Sequence, residues 1–217
     1  MKKYYRKLIP HRDTEYYEKI GEELRGMLSV LDVGCGENSP IRNIKKTFFS
    51  TGVDLSESAI KKSSDRGIHD QYLVSNILDI DTLFEKKSFD AVIALDVIEH
   101  LTKEDGLSLI EKMESLARKK IIISTPNGFV EQFVEKEPLQ EHLSGWDCKE
   151  MKGLGYTCIG MNGIKYIPRE RGAITISPSR IWGLVADFMQ PLIYHVPQIA
   201  FQLLCIKTYE DINGQQK

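Results

Sequence analysis

The stretch Val30–Ser39, VLDVGCGENS, constrains the fold more than any other part of the chain. An apolar run that ends in a carboxylate and then meets two glycines reads as a buried strand running straight into a ligand-holding turn. Gly34 and Gly36 let the backbone turn sharply and approach a ligand closely, while Ser39 can cap, and Pro40 can start, a following helix. Strand, tight loop and helix make the first half of a nucleotide-type βαβ unit. Further on, Gly52–Ser56, GVDLS, places Asp54 at the end of a second strand, where a carboxylate suits the two ribose hydroxyls of a nucleoside.

Charge narrows the ligand. Asp32 immediately precedes the glycines and the loop carries no Lys or Arg, so a pyrophosphate would face an unpaired carboxylate there. A ligand with an ammonium and a sulfonium suits that loop, which favours S-adenosyl-L-methionine over a nicotinamide dinucleotide. Phe89–Leu95 is a near-continuous apolar run, as expected of a central parallel strand covered on both faces. Ligands in such sheets bind outside the carboxyl ends of the strands, which sets Asp96, Glu99 and His100 beside the glycine loop.

Four segments, Val30–Gly36, Gly52–Ser56, Ser88–Leu101 and Ile121–Gly128, stand in an order and spacing that resembles the class I S-adenosylmethionine-dependent methyltransferases, over roughly residues 28 to 165. The resemblance implies an α/β fold: a Rossmann-like, seven-stranded, mostly parallel sheet with helices on both faces and a small C-terminal lid. It implies an enzyme with S-adenosyl-L-methionine as cofactor and S-adenosyl-L-homocysteine as product. It also implies cofactor contacts from Asp32, Gly34, Cys35, Gly36, Asp54, Leu55, Asn76, Ile77 and Leu95. Asn38 stands where family members commonly carry a third glycine, and Asn tolerates a left-handed backbone. Asn76 falls where the family holds an acid or amide against the adenine amine; a loop amide serving its own backbone is the equally simple reading.

Methyl transfer is an in-line displacement at a methyl already activated by the sulfonium. The protein must mainly position the acceptor, exclude water and, where needed, take a proton. The polar groups that can converge near the methyl are Asp96, Glu99, His100 and His142, the last in the loop after the fifth strand. Asp-x-x-Glu-His followed by a later His is similar in spacing to the Glu-x-x-Glu-His plus His metal site of small-RNA 2′-O-methyltransferases. Its first part is also similar to the quinone-biosynthesis O-methyltransferases, with Asp96 in place of the first Glu. The preferred reading is metal-free, with His142 or His100 as general base and Glu99 steadying a helix start, so no metal ligands are assigned. The expected acceptor is an oxygen of a small, partly apolar molecule. A glycan or polar metabolite, or a metal-dependent transfer to an RNA 2′-hydroxyl, stands as the alternative. A cofactor-binding protein without catalysis is the reading from a different class, and the polar Asp96–His100 corner speaks against it.

A chain of 217 residues with 41% hydrophobic content can bury one full core, so a single domain is expected over residues 1–217. Within it, residues 1–28 read as a leader, basic and aromatic at first, then helical with Tyr17, Ile20, Leu24 and Leu28 at helical spacing. Capping boxes at Thr102/Asp105 and Asp147/Glu150 predict helices over 102–118 and 147–155. Strands are expected at 71–74, 119–124 and 156–161, with an antiparallel last strand at 201–206. Residues 165–197 read as a lid or dimerisation insert. Its apolar part, with Trp182, Phe188 and Leu192, is interrupted by Asp187, Gln190, Pro191 and His195 and does not reach transmembrane length. A cover for an apolar small-molecule substrate, a homodimer surface and a peripheral membrane contact are the three uses left open. The polar end, 210–217, reads as a disordered tail. A net charge of -2 speaks against a broad nucleic-acid-binding surface. Four cysteines without a Cys-x-x-Cys pair indicate neither zinc nor disulfides, and the N-terminus has no apolar leader, so a cytoplasmic location is expected.

Overall fold

The computed structural model describes residues 12–132, 140–166, 169–170, 173–174 and 179–209. The expected basic tail and polar C-terminus, at 1–11 and 210–217, and the side chain of Trp182 lie outside them. Its frame is one seven-stranded sheet in the order β3-β2-β1-β4-β5-β9-β6. The strands are β1 (Ser29–Val33), β2 (Phe49–Asp54), β3 (Gln71–Val74), β4 (Phe89–Leu95), β5 (Ala117–Pro126), β6 (Thr157–Ile164) and β9 (Ala200–Thr208). Two short strands, β7 (Arg169–Glu170) and β8 (Ala173–Ile174), pair only with each other. β1 to β5 run parallel, and β9 is antiparallel to both β5 and β6.

Strict alternation explains why this sheet is buried on both faces. Leu31, Val33, Val92, Ala94, Ile121, Ile123, Leu203 and Cys205 pack on one side. Val30, Ala91, Ile93, Leu95, Ile122, Leu204 and Ile206 pack on the other. The first side is covered by α4 (Lys103–Leu116) and Trp146, the second by α1 (Arg12–Glu23) and the turn at Ile41. Each fully buried aliphatic side chain of this kind contributes about 1.5–3 kcal/mol. α2 (Glu57–Asp65) covers β2 and β3, α3 (Ile80–Leu83) packs on α4, and α5 (Cys148–Gly153) packs on β6.

Several expectations need correction. After Ser39 the chain makes only a 3₁₀ turn, Pro40–Asn43, with Ser39 Oγ accepting from Ile41 N. Its apolar residues, Ile41 and Ile44, are three apart, which suits that tighter winding and offers no stripe for a longer helix. α4 starts at its expected cap, Thr102 Oγ1 accepting from Asp105 N, but ends at Leu116 because Ala117 is already extended and paired with Phe89. The second capping box is only half formed: Asp147 Oδ1 accepts from Glu150 N, while the Glu150 carboxylate turns to Lys103 at 2.7 Å. The sixth strand spans 157–164 rather than 156–161, and the last spans 200–208. The buried stripe of α1 is Tyr16, Ile20 and Leu24, and Leu28 is exposed because the helix has ended before Gly26 turns left-handed.

The apolar segment after residue 178 is a helix, α6 (Ser179–His195), with Pro191 inside it. It is fastened to β6 by the buried Gln190, which donates to Gly160 O and accepts from Gly163 N, both at 3.0 Å. Ile193 is fully buried in the contact, and a Cβ at Gly160 would stand 2.2 Å from the Ile193 carbonyl oxygen. Phe188 and Leu192 point away and are 82% and 54% exposed. Among the described residues, no helix is long and apolar enough to cross a membrane. Gly160→Ala should therefore push α6 off β6 and cost about 1–3 kcal/mol of overpacking. Urea unfolding of this variant checks the contact; parent-like stability would mean that α6 does not pack there.

Candidate active site

The register of the parallel strands brings their polar ends to one edge. Asp32 is level with Gly52 on β2 and Ile93 on β4, and Leu95 is level with Ser124 on β5. Glycine is required at the loop's bend: Gly34 has φ +69°, and a Cβ there would stand 2.7 Å from Val97 Cγ2. Asp54 ties the loop to β2, Oδ2 accepting from Gly36 N and Oδ1 from Ser56 N, both at 2.8 Å. Each oxygen retains a lone pair for a ribose hydroxyl. Leu55 beside it is exposed, Ile77 is partly exposed, and Leu95 is buried in the core on the α1 side of the sheet. The Cys35 side chain turns inward under Gly52, so only its backbone lines the loop; burial holds its thiol well above the ordinary range. Asn76 is exposed, and its side-chain oxygen caps the turn by accepting from Leu78 N at 3.0 Å.

Asp32 lies beneath the loop, 1% exposed, with Ser39 Oγ donating to Oδ2 at 2.5 Å. Burial pushes its carboxyl up to about 7 against that hydrogen bond, and Asp54 pushes the same way. Asp32 thus stands beneath the loop rather than on its ligand-facing surface, and burial resists the charge that the sequence reading gives it.

Just past the end of β4, Asp96 has φ +58°, uncommon for a residue with a Cβ and a pointer to function. Its backbone N–H is held by Ser124 O, and its Oδ1 accepts from Ser124 Oγ at 2.8 Å and Gln202 Nε2 at 2.6 Å. Since Ser124 donates to Asp96, its own oxygen receives the hydroxyl of Tyr16, 2.8 Å away on α1. Gln202 is in turn held by Asn162. Asp96 is walled in by protein yet keeps open surface, as a group on the floor of a cleft does; crowding lifts its pKa, while Ser124, Gln202 and the two nearby imidazoles lower it.

Glu99, His100 and His142 form the corner beside it. One ligating atom from each lies within 4.8 Å of the others. The imidazoles meet edge to face with centroids 4.8 Å apart. His100 Nδ1 faces Glu141 O at 3.1 Å and His142 Nδ1 faces Val130 O at 2.6 Å. A carbonyl only accepts, so both Nδ1 atoms carry the proton when the rings are neutral, and both Nε2 atoms are left basic. Burial lowers the His100 pKa, which keeps that lone pair available at neutral pH. Glu99 is 2% exposed and its Oε2 has no hydrogen-bond partner among the described residues. Burial first, and Asp96 second, raise its pKa well above the carboxylate range.

The loop that delivers His142 is fixed at its root by Trp146, fully buried, whose indole N–H reaches Ile98 O at 3.2 Å and Ser144 Oγ at 2.9 Å. Gly106 must lack a side chain there, since a Cβ would stand 2.5 Å from the indole. Leu143 N and Ser144 N bond Glu99 O, closing the loop onto the corner. The four predicted polar residues therefore do converge. The sequence reading missed Tyr16, Ser124 and Gln202; Tyr16 on the apolar stripe of α1 and Ser124 at the end of an isoleucine strand were the available signals, and Gln202 had none.

A doubly wound sheet with a glycine loop and an acid at the ends of its first two strands defines a nucleoside-cofactor-binding protein. Residues 31–123 match the family model described as a methyltransferase domain. Residues 31–123 therefore carry a methyltransferase domain, and strand order, loop chemistry and this match support the class I S-adenosylmethionine-dependent methyltransferase family. It is 30% identical over 149 residues to a ubiquinone biosynthesis O-methyltransferase of Rickettsia bellii (strain OSU 85-389), covering 64% of this chain and 60% of that protein. The chain thus spans less than two thirds of that relative's length. Among solved structures it is similar to a SAM-dependent methyltransferase from Archaeoglobus fulgidus, with a TM-score of 0.54 at 19% identity over 89% of this chain and 94% of that one. A Haemonchus contortus phosphoethanolamine N-methyltransferase 2 gives a TM-score of 0.56 at 17% identity over 91% of this chain and 53% of that one. The structural likenesses speak for the fold, which serves several acceptors.

The raised pKa of Glu99 has a consequence for stability. A buried acid whose folded pKa lies above its unfolded value favours the protonated form, so its contribution is lost as pH rises above the unfolded value of 4.5. Glu99→Gln should be more stable than the parent at pH 8 and close to it at pH 4.5, by urea unfolding at both. A gain of equal size at both would show that Glu99 does not titrate in this way.

Proposed function

We propose that the protein transfers the methyl of S-adenosyl-L-methionine to an oxygen of a small, partly apolar molecule, in the cytoplasm, using the corner formed by Asp96, Glu99, His100 and His142. In that step the C–S bond of the sulfonium breaks as the C–O bond forms, S-adenosyl-L-homocysteine leaves, and the hydroxyl proton passes to an imidazole Nε2. The observation that carries this reading is the pair of imidazoles with Nδ1 tied to carbonyls and Nε2 left basic, set next to the glycine loop through Val97. An oxygen acceptor agrees with the Rickettsia bellii relative, a ubiquinone biosynthesis O-methyltransferase. Asp96, held by Ser124 and Gln202, orients the acceptor, and Glu99 orients the corner. The exposed face of α6 covers the apolar acceptor or pairs with a second copy.

The clustering of Glu99, His100 and His142 favours one second reading: a divalent ion on these three, polarising the acceptor hydroxyl. Transfer of labelled methyl to a panel of hydroxyl acceptors, with and without chelator, tests both. Turnover that survives chelator and loses its acid limb in His142→Ala or His100→Ala is expected; chelator-sensitive turnover restored by a defined ion would replace it with the metal reading.

On the cofactor side, Asp54→Ala removes two loop anchors and the ribose acceptors together. It should weaken S-adenosylhomocysteine binding by about 1.5–3 kcal/mol, roughly tenfold to a hundredfold, in calorimetry. Parent-like affinity would refute the ribose assignment.

A further inference from the structure

Beneath the glycine loop lies a buried pair that the acceptor corner does not use. His69 sits just before β3, its side chain fully buried, with Nε2 3.3 Å from Asp32 Oδ2. Neither ring nitrogen makes a hydrogen bond among the described residues, Asp32 included, so a buried imidazole stands within ion-pair distance of a buried carboxylate. The fold leaves room for it: a Cβ at Gly52, the residue level with Asp32 on β2, would stand 2.7 Å from His69 Cδ2. Tyr72 steadies the segment, its ring edge-on to the imidazole at 5.5 Å and its hydroxyl accepting from His69 N at 2.8 Å. A buried polar ring with no other use is costly, which asks for a role.

We propose that His69 is a positioning residue for the cofactor: through Asp32 it holds a negative charge beneath the glycine loop, where the cofactor's ammonium lies, and so sets the pH dependence of cofactor binding. The proposal rests on S-adenosylmethionine being the ligand of this loop. The neutral imidazole is suited to the task because it serves either state of its partner. With Nε2–H it donates to the Asp32 carboxylate; in the other tautomer it accepts from the Asp32 carboxyl. Burial first, and Lys46 second, lower its pKa to about 4, so it does not itself become a cation competing with the ligand.

The groups facing the pair are few. On the Asp32 side stand Ser39, Cys35 and Asp54; on the His69 side stand Tyr72 and the ion pair Lys46–Asp70 at 2.7 Å. Burial raises Asp32 into the neutral range, to about 7. A cationic ligand binds the ionised form, so affinity rises with pH through that range and levels above it.

Calorimetry with S-adenosylhomocysteine from pH 5.5 to 8.5 tests this on the parent, His69→Phe and His69→Gln side by side, so that titration of the ligand is common to all three. The Phe variant, having lost the N–H, should show its midpoint displaced upward by about one unit. That is roughly fivefold weaker binding at pH 7, recovering toward pH 8.5. The Gln variant keeps a donor and should follow the parent. An unchanged profile in the Phe variant, or equal weakening at every pH, would mean that His69 only fills space. If the Phe variant does not fold, nitrogen NMR of the parent decides: an Nε2–H tautomer above pH 7 supports the pairing, and an Nδ1–H tautomer there overturns it. A parent that binds no S-adenosylhomocysteine at any pH would instead refute the cofactor reading on which the pairing depends.

Discussion

The structure depends on one constraint: a parallel sheet packed on both faces has little room for polar side chains away from its ends. β4 is buried along its whole length, and its neighbours β1 and β5 contribute aliphatic side chains to both cores. Carboxylates are therefore driven to the carboxyl edge, where Asp32, Asp54, Asp96 and Glu99 gather within one region. Burial makes Asp32, Asp96 and Glu99 resist ionisation. Three of the four are held by their own means, Asp54 by two backbone N–H groups, Asp96 by Ser124 and Gln202, and Asp32 by Ser39, while Glu99 Oε2 has no hydrogen-bond partner among the described residues. A sulfonium ligand beside them would favour the ionised forms of Asp32, Asp96 and Glu99, since opposite charge stabilises a carboxylate.

A second consequence is that the corner of Glu99, His100 and His142 is built by long-range contacts. His100 follows β4 directly, but His142 arrives on a loop whose root is clamped by Trp146 and whose backbone bonds Glu99 O. Gly106 admits the indole, and Lys103 lies over its face, 3.5 Å from the centroid. The leader helix joins from the other side, Tyr16 reaching Asp96 through Ser124. Five separate elements thus meet around one carboxylate, which is how a site on loop ends acquires a fixed geometry. α6 is docked on the neighbouring edge strand by Gln190 and Ile193 and leaves Phe188 and Leu192 outward, an apolar face suited to a greasy acceptor or a second copy.

By itself the sequence determined the sheet, the glycine loop and the family. Apolar runs of strand length, each closed by Asp or Ser, and caps such as Thr102 are local signals, and local chemistry settles them whatever the rest of the chain does. It also named the corner residues, because the carboxyl end of a buried strand is legible from where the apolar run stops. Element ends were less legible: α4 stops where Ala117 finds Phe89 as a strand partner, and α6 was hidden because Pro191 and Gln190 break an apolar pattern whose purpose is to dock on β6. Only the tertiary structure decided that Asp32 lies beneath its loop beside His69, that both imidazoles of the corner present Nε2, and that Gln202 and Tyr16 hold Asp96. The reason is sequence separation. Such contacts join residues far apart in the chain, and their energies come from burial and hydrogen bonds that exist only once the sheet has brought the strand ends together.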